Sequence, residues 1–479
     1  MTIRICHCGR CLNRGACARG SLHDVLRSVH GAISLVAAIS TTVFLAACGS
    51  SDEPGTVSTH VAGVIELRAD ADSVPDYRGF VLRVMSDTDT LATTETDRSG
   101  SFRMDVTAPR RAIYLLEISR HGQLVKRSEI VLAEADTATL RLRLPDGSRP
   151  LVIRSRENAA LIAYRNTLST HNTALQELAR SDAASVEAGR FRHLQTAEML
   201  WRLRTQFART IGGEVAGSES VILLEGWDDS LALARADSIE PGTWKYDEVV
   251  RVVRRAESRR SGVDAAVSRL RTLQEGTREE RAQAIIESEI VAAYIDSSRY
   301  EQAGTAAGEM ERRFQGTTWQ EWAQSARYEM EKLTPGNRAP VFAATTWDGY
   351  PFDASEHFDR LTLLEFVKPL EAIFLHELQM RDAMVGDLPP GFLRVVTVSV
   401  DPDSVVNEAL FDEHELPGSV GIGLPDGPSS IVARLYNVKL VPKRFLIRDG
   451  TILARYSGPA IQQIQLDLDR LARGRRPSL

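Results

Sequence analysis

The pattern of hydrophobic and polar residues changes along the chain and divides it into regions of different structure. Between residues 60 and 144, short segments alternate apolar and polar residues with the period of two that half-buried strands show. These segments cover 63–67, 79–84, 101–106, 112–118 and 139–144. From about residue 155 to 333 the period becomes helical, and Leu200, Leu203, Phe207 and Ile211 fall on one face. The pattern therefore predicts a β-module followed by an α-helical region.

A third region follows the breaker-rich linker Thr334–Pro340. An apolar run at 361–367 is followed within a few residues by a helix-competent segment at 373–385, and a second strand is predicted at 392–400. A buried strand feeding a helix is where α/β folds usually place their chemistry. At about 150 residues per domain, 479 residues also suggest about three domains.

The first 50 residues contain an export signal. An apolar run of about sixteen residues follows Arg27 and His30, which is shorter than the roughly 20 residues of a spanning helix. It ends in Leu45-Ala-Ala-Cys48-Gly49, which resembles a bacterial lipobox. The resemblance implies a signal peptide at 1–47, diacylglycerol on the thiol of Cys48 and a tether at 48–59, with Gly49 favouring the outer membrane. The alternative is an ordinary transmembrane anchor with a chance cysteine.

Charge excludes one class of partner. The net charge is −6, and removing residues 1–47, with five Arg and one Asp, leaves 53 basic and 63 acidic residues, a charge of −10. No basic stripe is present that could displace phosphate counterions, so we expect no nucleic-acid partner. The arginines between residues 251 and 260 recur at helical spacing and predict a solvated helix face.

All five cysteines lie in the first tenth of the chain, at Cys6, Cys8, Cys11, Cys17 and Cys48. The cluster of Cys6, His7, Cys8 and Cys11 contains ligand types that suit zinc. It precedes the export signal, however, and would be removed with it. We therefore interpret it as a basic leader or as sequence upstream of the true start, and we expect neither a metal nor a cofactor.

The β-module carries a turn signature. Thr96-Asp97-x-Ser-Gly100-x-Phe102 resembles carboxypeptidase-regulatory-like and prealbumin-like β-sandwiches, in which the Asp and Gly shape a tight turn. The resemblance implies a β-sandwich at 60–150 that acts as a spacer or protein contact. The region 151–334 is predicted to be α-helical, and its last hairpin faintly resembles a tetratricopeptide unit.

The C-terminal region carries several motifs in a familiar order. They are Ala339-Pro-x-Phe342, Trp347-Asp-Gly349 and the run Tyr436-x-Val438-x-x-Val441-Pro442-x-x-Phe445, followed by Asp449-Gly450. Together they resemble the thioredoxin-like domain of bacterial envelope lipoproteins (TlpA/ResA-like, redoxin superfamily), here at 335–475. The fold class is then multi-domain α+β: a β-sandwich, a helical middle region and a C-terminal α/β thioredoxin-like fold.

The family's Cys-x-x-Cys pair is missing. Glu371 and Phe374 stand where the two cysteines belong, and residues 49–479 contain no cysteine. Disulfide exchange needs a thiolate and a resolving thiol. Pro442 matches the family's cis-proline, which with Val441 forms a groove for an extended chain, or is kept for fold geometry alone. His357 and His376 are expected near this site as surface residues.

The preferred functional interpretation is a redox-inactive, lipid-anchored protein that faces the periplasm and binds or scaffolds other envelope proteins. Its expected partners are the membrane, through the lipid on Cys48, and an unidentified envelope protein or peptide. The alternative is a thiol–disulfide oxidoreductase acting in cytochrome maturation or envelope disulfide chemistry. A third possibility is a non-redox enzyme that uses Glu371.

Overall fold

A computed structural model describes residues 55–67, 77–144, 151–181, 185–412, 416, 419–474 and 477. The predicted signal peptide, Cys48 and most of the predicted tether lie outside these residues. The chain divides into two compact units, Met1–Asp228 and Asp229–Leu479. This boundary falls inside the predicted helical region 151–334, so the helices of that region belong partly to each unit.

The first unit contains two four-stranded sheets, ordered β4-β1-β7-β8 and β3-β2-β5-β6. The strands are β1 Val57–Leu67, β2 Phe80–Met85, β3 Thr90–Glu95, β4 Ser101–Ala108, β5 Ala112–Arg120, β6 Gln123–Leu132, β7 Asp136–Leu144 and β8 Ile153–Arg154. The five predicted strand segments coincide with parts of β1, β2, β4, β5 and β7. The alternation did not indicate β3 and β6, because most of their side chains are exposed or half-buried.

Both sheets contribute to one hydrophobic cluster. Alternate residues of β4, such as Phe102 and Val106, pack in the same cluster as Leu116 and Ile118 of β5. The predicted turn before β4 is closed by Asp97, whose carboxylate accepts from the backbone N–H groups of Ser99 and Ser101. These two sheets therefore share a core built from their inward-facing side chains.

Three helices complete the first unit: α1 Arg156–Ala179, α2 Val186–Gln206 and α3 Ile211–Leu224. Arg111, at the start of β5, joins them to the sheets. Its guanidinium bonds the carboxylates of Glu157 and Glu214, each at 3.0 Å, and the Arg209 carbonyl at 2.9 Å. Glu157 also accepts from the Ile211 N–H at 2.8 Å. One cation therefore fixes the starts of α1 and α3 against the sheet.

Two buried histidines lie between α1 and α2. The rings of His171 and His193 are 4.9 Å apart in a T-shaped arrangement, and His193 stacks on Trp227. His171 Nδ1 bonds the Thr196 hydroxyl at 2.9 Å, whereas neither Nε2 has a hydrogen-bond partner. Burial, the His193 ring and the charge of Arg192 lower the pKa of His171 to about 4. The packed helices therefore hold this ring in its neutral form.

We expect this helix packing to lose stability as the pH falls. An unfolded histidine binds a proton near pH 6.5, but folded His171 binds one only near pH 4, so the penalty grows between these values. The full loss, reached below pH 4, is about 3 kcal/mol, and about 2 kcal/mol of it is present at pH 5. Hydrogen exchange of α1 and α2 peptides, corrected for intrinsic rates, measures it at pH 7 and pH 5. His171→Gln should flatten the pH dependence; an unchanged slope in that variant would contradict this assignment.

The second unit begins with six helices: α4 Asp229–Ala236, α5 Tyr246–Ser261, α6 Val263–Glu275, α7 Glu280–Asp296, α8 Tyr300–Arg313 and α9 Thr318–Lys332. The prediction of a solvated arginine face on α5 is wrong for Arg254. Its side chain is buried and bonds Glu289 of α7 at 2.6 Å and also Asp296. A partner helix with carboxylates in reach makes this burial tolerable, and helical spacing alone does not reveal that partner. None of the helices in the described parts of the chain has the length and apolarity needed to cross a bilayer.

The rest of the second unit is an α/β domain. Its elements are β9 Ala343–Thr345, β10 Pro351–Asp353, α10 Ala354–His357, β11 Thr362–Val367, α11 Ala372–Gly386, β12 Arg394–Ser399, α12 Ser404–Phe411, β13 Ser419–Gly423, α13 Ile431–Leu435, β14 Lys443–Arg448, β15 Thr451–Ser457 and α14 Ile461–Ala472. The main sheet has the order β13-β12-β11-β14-β15. Strands β11, β12 and β13 are parallel, whereas β14 and β15 continue the sheet antiparallel.

Hydrophobic clusters cover both faces of this sheet. One face packs against α11 and α14 through residues such as Met384 and Ile464, and the other packs against residues of α10 and α13. The central strand β11 is buried along its whole length. A mixed sheet of this strand order, with helices on both faces, is a thioredoxin-like domain, and its central strand feeds α11.

Candidate functional site

The candidate site lies where β11 ends and the chain turns into α11. β14 runs antiparallel to β11 and pairs Lys443 with Phe366, so the loop before β14 returns to this end of the sheet. Glu371 and Phe374, at the start of α11, and Val441–Pro442, before β14, therefore lie at the same end. The fold brings the predicted positions to a common edge.

Glu371 occupies the residue before the first turn of α11. Its carbonyl oxygen accepts from the Leu375 N–H at 3.0 Å, but its half-buried side chain makes no capping hydrogen bond. A carboxylate is favoured beside a helix N-terminus by the helix dipole. It supplies no thiolate, which is the nucleophile in disulfide exchange. The first of the two predicted cysteine positions therefore holds a carboxylate, which cannot act in disulfide exchange.

Phe374 fills the second position with apolar volume. Its side chain is 0% exposed and packs with Val367 at the end of β11, Leu378 on α11 and Leu410 on α12. A ring in this cluster joins two helices to the central strand. The second position at which the sequence resemblance predicts a cysteine is therefore part of the core.

The peptide bond between Val441 and Pro442 is cis. Pro442 is buried, Val441 is half-buried, and Leu440 just before them is 63% exposed. Leu370 and Leu375, on the β11-to-α11 side of the same edge, are 70% and 49% exposed. Three exposed leucines thus lie at the end of the sheet where the predicted groove would be.

The residue after the proline contacts the helical part of the unit. The ammonium of Lys443 donates to the Asn437 carbonyl at 3.0 Å and lies 3.2 Å from a Glu329 carboxylate oxygen on α9. Glu329 also accepts from Arg455 at 2.5 Å and from the Asn437 amide at 2.8 Å. Burial lowers the pKa of Lys443, although the Glu329 charge opposes this. Helix α9 therefore holds the loop that leads into Pro442.

Below the site, a set of charged side chains is buried inside the domain. Glu365 in the middle of β11 is 0% exposed, and so are Arg381 of α11 and Arg444 of β14. Arg381 donates to one Glu365 oxygen at 3.0 Å, and Arg444 donates to the other at 3.2 Å. Thr397 of β12 donates its hydroxyl to Glu365 at 2.8 Å. One carboxylate therefore connects three strands and a helix.

Glu377 of α11 extends this set to the last helix. It accepts from Arg444 at 2.8 Å through one oxygen. Its other oxygen accepts from the backbone N–H groups of Ala460 and Ile461, at 2.5 and 3.0 Å, where α14 begins. We refer to Glu365, Glu377, Arg381 and Arg444 as the buried ion cluster. It carries two positive and two negative side chains.

The charges of the buried ion cluster stabilise one another. Burial alone would raise the pKa of Glu365, but the charges of Arg381 and Arg444 and the bonds from Thr397 and Arg381 outweigh it, and the pKa is below its ordinary value. The pKa of Arg381 is raised by Glu365 and Asp382 against the effect of burial. Glu365 and Arg381 therefore stay ionised, and the cluster is a buried structural element with no exposed reacting group.

The two histidines expected near the site do not come together. The carbonyl of His357 accepts from the Thr362 hydroxyl at 2.7 Å, beside the first residue of β11, so His357 lies at the opposite end of the strand. Its ring stacks on Phe352, and burial and the charge of Arg394 lower its pKa. His376 is exposed on α11. The expectation that both lie near the site is wrong for His357, because α10 precedes β11 at its far end.

Sequence reasoning missed the buried ion cluster. A signal was present, since Glu365 interrupts the apolar run Leu363–Val367 and Arg444 precedes the apolar Phe445–Ile447. A charge in a fully buried strand requires a partner. The described residues contain no group of three or more His, Cys, Asp or Glu side chains that could hold a metal ion.

Comparisons with known proteins give matches at the level of fold. No family model matches the chain. No curated protein matches it. Among solved structures, a putative thiol:disulfide interchange protein (DsbE) of Chlorobium tepidum is 23% identical, with a TM-score of 0.26, covering 29% of this chain and 96% of that one. A thiol-disulfide oxidoreductase of Bacteroides fragilis is 20% identical, with a TM-score of 0.24, covering 27% and 97%.

A secreted disulfide oxidoreductase of Mycobacterium tuberculosis is also similar, at 20% identity and a TM-score of 0.24, covering 27% of this chain and 94% of that one. Each match spans nearly all of the other chain and less than a third of this one. At these TM-scores, the strand order and directions of the main sheet remain the basis for assigning the thioredoxin-like fold.

Proposed function

We propose that this chain is a lipid-anchored protein of the bacterial envelope whose thioredoxin-like domain binds other envelope proteins without thiol–disulfide chemistry. The observation that carries the proposal is the composition of the site. Residues 49–479 contain no cysteine, and the two predicted cysteine positions hold Glu371, just before the first turn of α11, and Phe374, which lies in the core. The domain has the thioredoxin-like order of strands and helices but lacks the cysteine sulfurs that disulfide exchange requires.

The anchoring part rests on the sequence Leu45–Cys48 and its apolar leader. Diacylglycerol on Cys48 would hold the protein on the membrane, facing the periplasm, and Gly49 favours the outer membrane. The two N-terminal sheets, as a prealbumin-like β-sandwich, would serve as a spacer or as a protein contact.

The binding part rests on the surface at the end of β11. Exposed Leu370, Leu375 and Leu440 offer apolar contacts there. The backbone of Val441, before the cis bond, would pair with an extended peptide as a strand does. The hydrogen bond that Asn437 donates to Glu329 holds the adjoining loop in place, which limits the conformational entropy lost on binding. An extended segment of an envelope protein fits this surface.

The oxidoreductase alternative is favoured by one observation, the thioredoxin-like order of the main sheet with α11 after its central strand. The insulin-reduction assay separates the two. We expect residues 52–479 to give no turnover above the uncatalysed rate with dithiothreitol, because neither a nucleophilic nor a resolving thiol is available. A thioredoxin with both cysteines serves as the positive control. Turnover above background by this chain would overturn the redox-inactive proposal.

We expect charge reversal at Glu371→Arg to remove partners captured from envelope extracts, since it places a cation against the helix N-terminus at the proposed surface. Asp469→Arg is the matched control, because Asp469 is exposed on α14, which packs on one face of the sheet and not at this edge. Quantitative mass spectrometry compares the captured proteins. A partner set that is unchanged in Glu371→Arg, or that is lost equally with Asp469→Arg, would contradict this binding surface.

A further inference from the structure

The outer face of the sheet β4-β1-β7-β8 is rich in arginine. Along each strand of this sheet, core residues alternate with outward-facing ones. Four of the outward-facing residues are Arg103 on β4, Arg141 and Arg143 on β7, and Arg154 on β8. All four are exposed, and the side chains of Arg141 and Arg143 are 63% and 70% exposed. We refer to these four residues as the arginine face. The chain as a whole has a net charge of −6.

The strand register places the four on one side of the sheet. Ala62 of β1 is paired with Arg103 on one side and with Thr139 on the other. Thr139 is in turn paired with Arg154. Two residues along β1, Val64 is paired with Arg141. Directly paired residues point to the same face, so these arginines share one surface.

Two acidic residues share this surface without neutralising it. Glu66 lies 3.4 Å from Arg141 and 2.8 Å from Arg143, whereas Asp105 is bonded to His60 at 2.8 Å. Within the described parts of the chain, no acidic side chain pairs with Arg103 or Arg154. The arginine face therefore keeps a positive excess that is open to an anionic partner.

The surface also contains a groove of about 470 Å³. Its lining includes three of the arginines, Arg141, Arg143 and Arg154, together with the apolar Val64 and Val152. Val152 is 57% exposed. Guanidinium groups bind phosphate oxygens in bidentate fashion, and an exposed valine beside them offers apolar contact. This combination suits the headgroup region of an anionic lipid.

The position of this sheet relative to the anchor makes the membrane its partner. β1 begins at Val57, nine residues after Cys48. Nine extended residues span at most about 30 Å, so a lipid on Cys48 would hold the sheet close to the bilayer. We propose that the arginine face docks on the anionic phospholipid headgroups of the membrane that carries the anchor. This inference rests on the proposed lipid anchor.

Docking of this kind would orient the protein. An acidic chain is repelled by an anionic surface except where a basic face meets it. The sheet that contains β1 would lie against the bilayer, and the outer face of the other sheet, which shares its core, would point away from the membrane. The lipid anchor would then limit the distance between the sheet and the bilayer, and the arginine face would determine which side of the sheet meets the headgroups.

The test uses the full lipidated chain reconstituted in vesicles with headgroup-labelled quencher lipids. A fluorophore is attached at Thr139→Cys on the arginine face, or at Thr93→Cys, the matched exposed threonine on the outer face of the second sheet. In vesicles with phosphatidylglycerol we expect about fivefold more quenching at Thr139 than at Thr93. In vesicles of phosphatidylcholine alone the difference should disappear.

Charge variants test the cause. Arg103→Gln with Arg154→Gln should reduce the quenching at Thr139 to the level at Thr93, while Arg103→Lys with Arg154→Lys should keep most of it. Protein that floats with the vesicles but shows equal quenching at both positions, or equal quenching with either lipid, overturns the docking and leaves the anchor intact. Protein that fails to float at all overturns the anchor and the docking together.

Discussion

Replacing Glu365 with glutamine is expected to lower the free energy of unfolding of the thioredoxin-like domain by about 3–5 kcal/mol. Glu365 is fully buried and is the carboxylate to which both Arg381 and Arg444 donate. Its loss leaves two guanidinium groups without their shared counter-charge in a region that water does not reach. Hydrogen exchange of β11 and β12 peptides reports the opening free energy of this domain separately from that of the first unit.

Glu371→Gln is the control for this effect, because Glu371 is a half-buried glutamate without a capping bond. We expect that variant to stay within about 0.5 kcal/mol of the wild type. A comparable loss in both variants would show that the buried ion cluster contributes no more than a surface charge.

The same glutamate predicts a dependence on pH. Its folded-state pKa is below the ordinary value, so its contribution is present above the unfolded pKa and is lost as the pH falls through the folded value. Exchange protection of β11 should therefore fall in wild type below about pH 4.5, and less steeply in Glu365→Gln. Parallel pH profiles in the two proteins would contradict the ionised assignment of Glu365.

Replacing Phe374 with alanine is expected to lower the free energy of unfolding of the same domain by about 3–5 kcal/mol. The ring is 0% exposed and packs with Val367, Leu378 and Leu410, so its removal leaves a cavity between α11, α12 and β11. Hydrogen exchange of the β11 and β12 peptides measures this loss as well. The physical cause is loss of packing and not loss of a reaction.

Leu375→Ala is the matched control, since it truncates a large apolar side chain on the next residue of α11 that is 49% exposed. We expect a loss of less than about 1 kcal/mol there. If both truncations cost the same, Phe374 is not the core residue that its position indicates. A Phe374→Ala variant with an unchanged free energy of unfolding would contradict the prediction and show that this position accepts a smaller side chain, such as cysteine.

Glu365 and Phe374 explain how the domain holds α11 against its sheet without a cysteine pair. Phe374 joins α11 to the central strand by packing, and the buried ion cluster joins the same helix to β11, β14 and the start of α14 by hydrogen bonds. Buried ion pairs are costly to form, and we expect this one to favour a single arrangement of the elements that it joins. The start of α11, beside the exposed leucines, is therefore held in a fixed position relative to the sheet.

The amino-acid sequence by itself determined the periodic elements, since alternation and helical spacing are local properties. It indicated the strand-to-helix turn at Leu361–Leu378 and the absence of cysteine from residues 49–479, which is the basis for proposing a domain without thiol chemistry. It did not indicate β3 and β6, whose exposed side chains carry no clear alternation.

The tertiary structure decided which distant residues meet. Glu365, Arg381 and Arg444 come together only because β14 lies beside β11 and α11 packs across the sheet. The same holds for the arginine face, where β7 and β8 bring Arg141 and Arg154 to the side of β1. Strand order follows from packing over the whole domain, and a single stretch of sequence does not contain it.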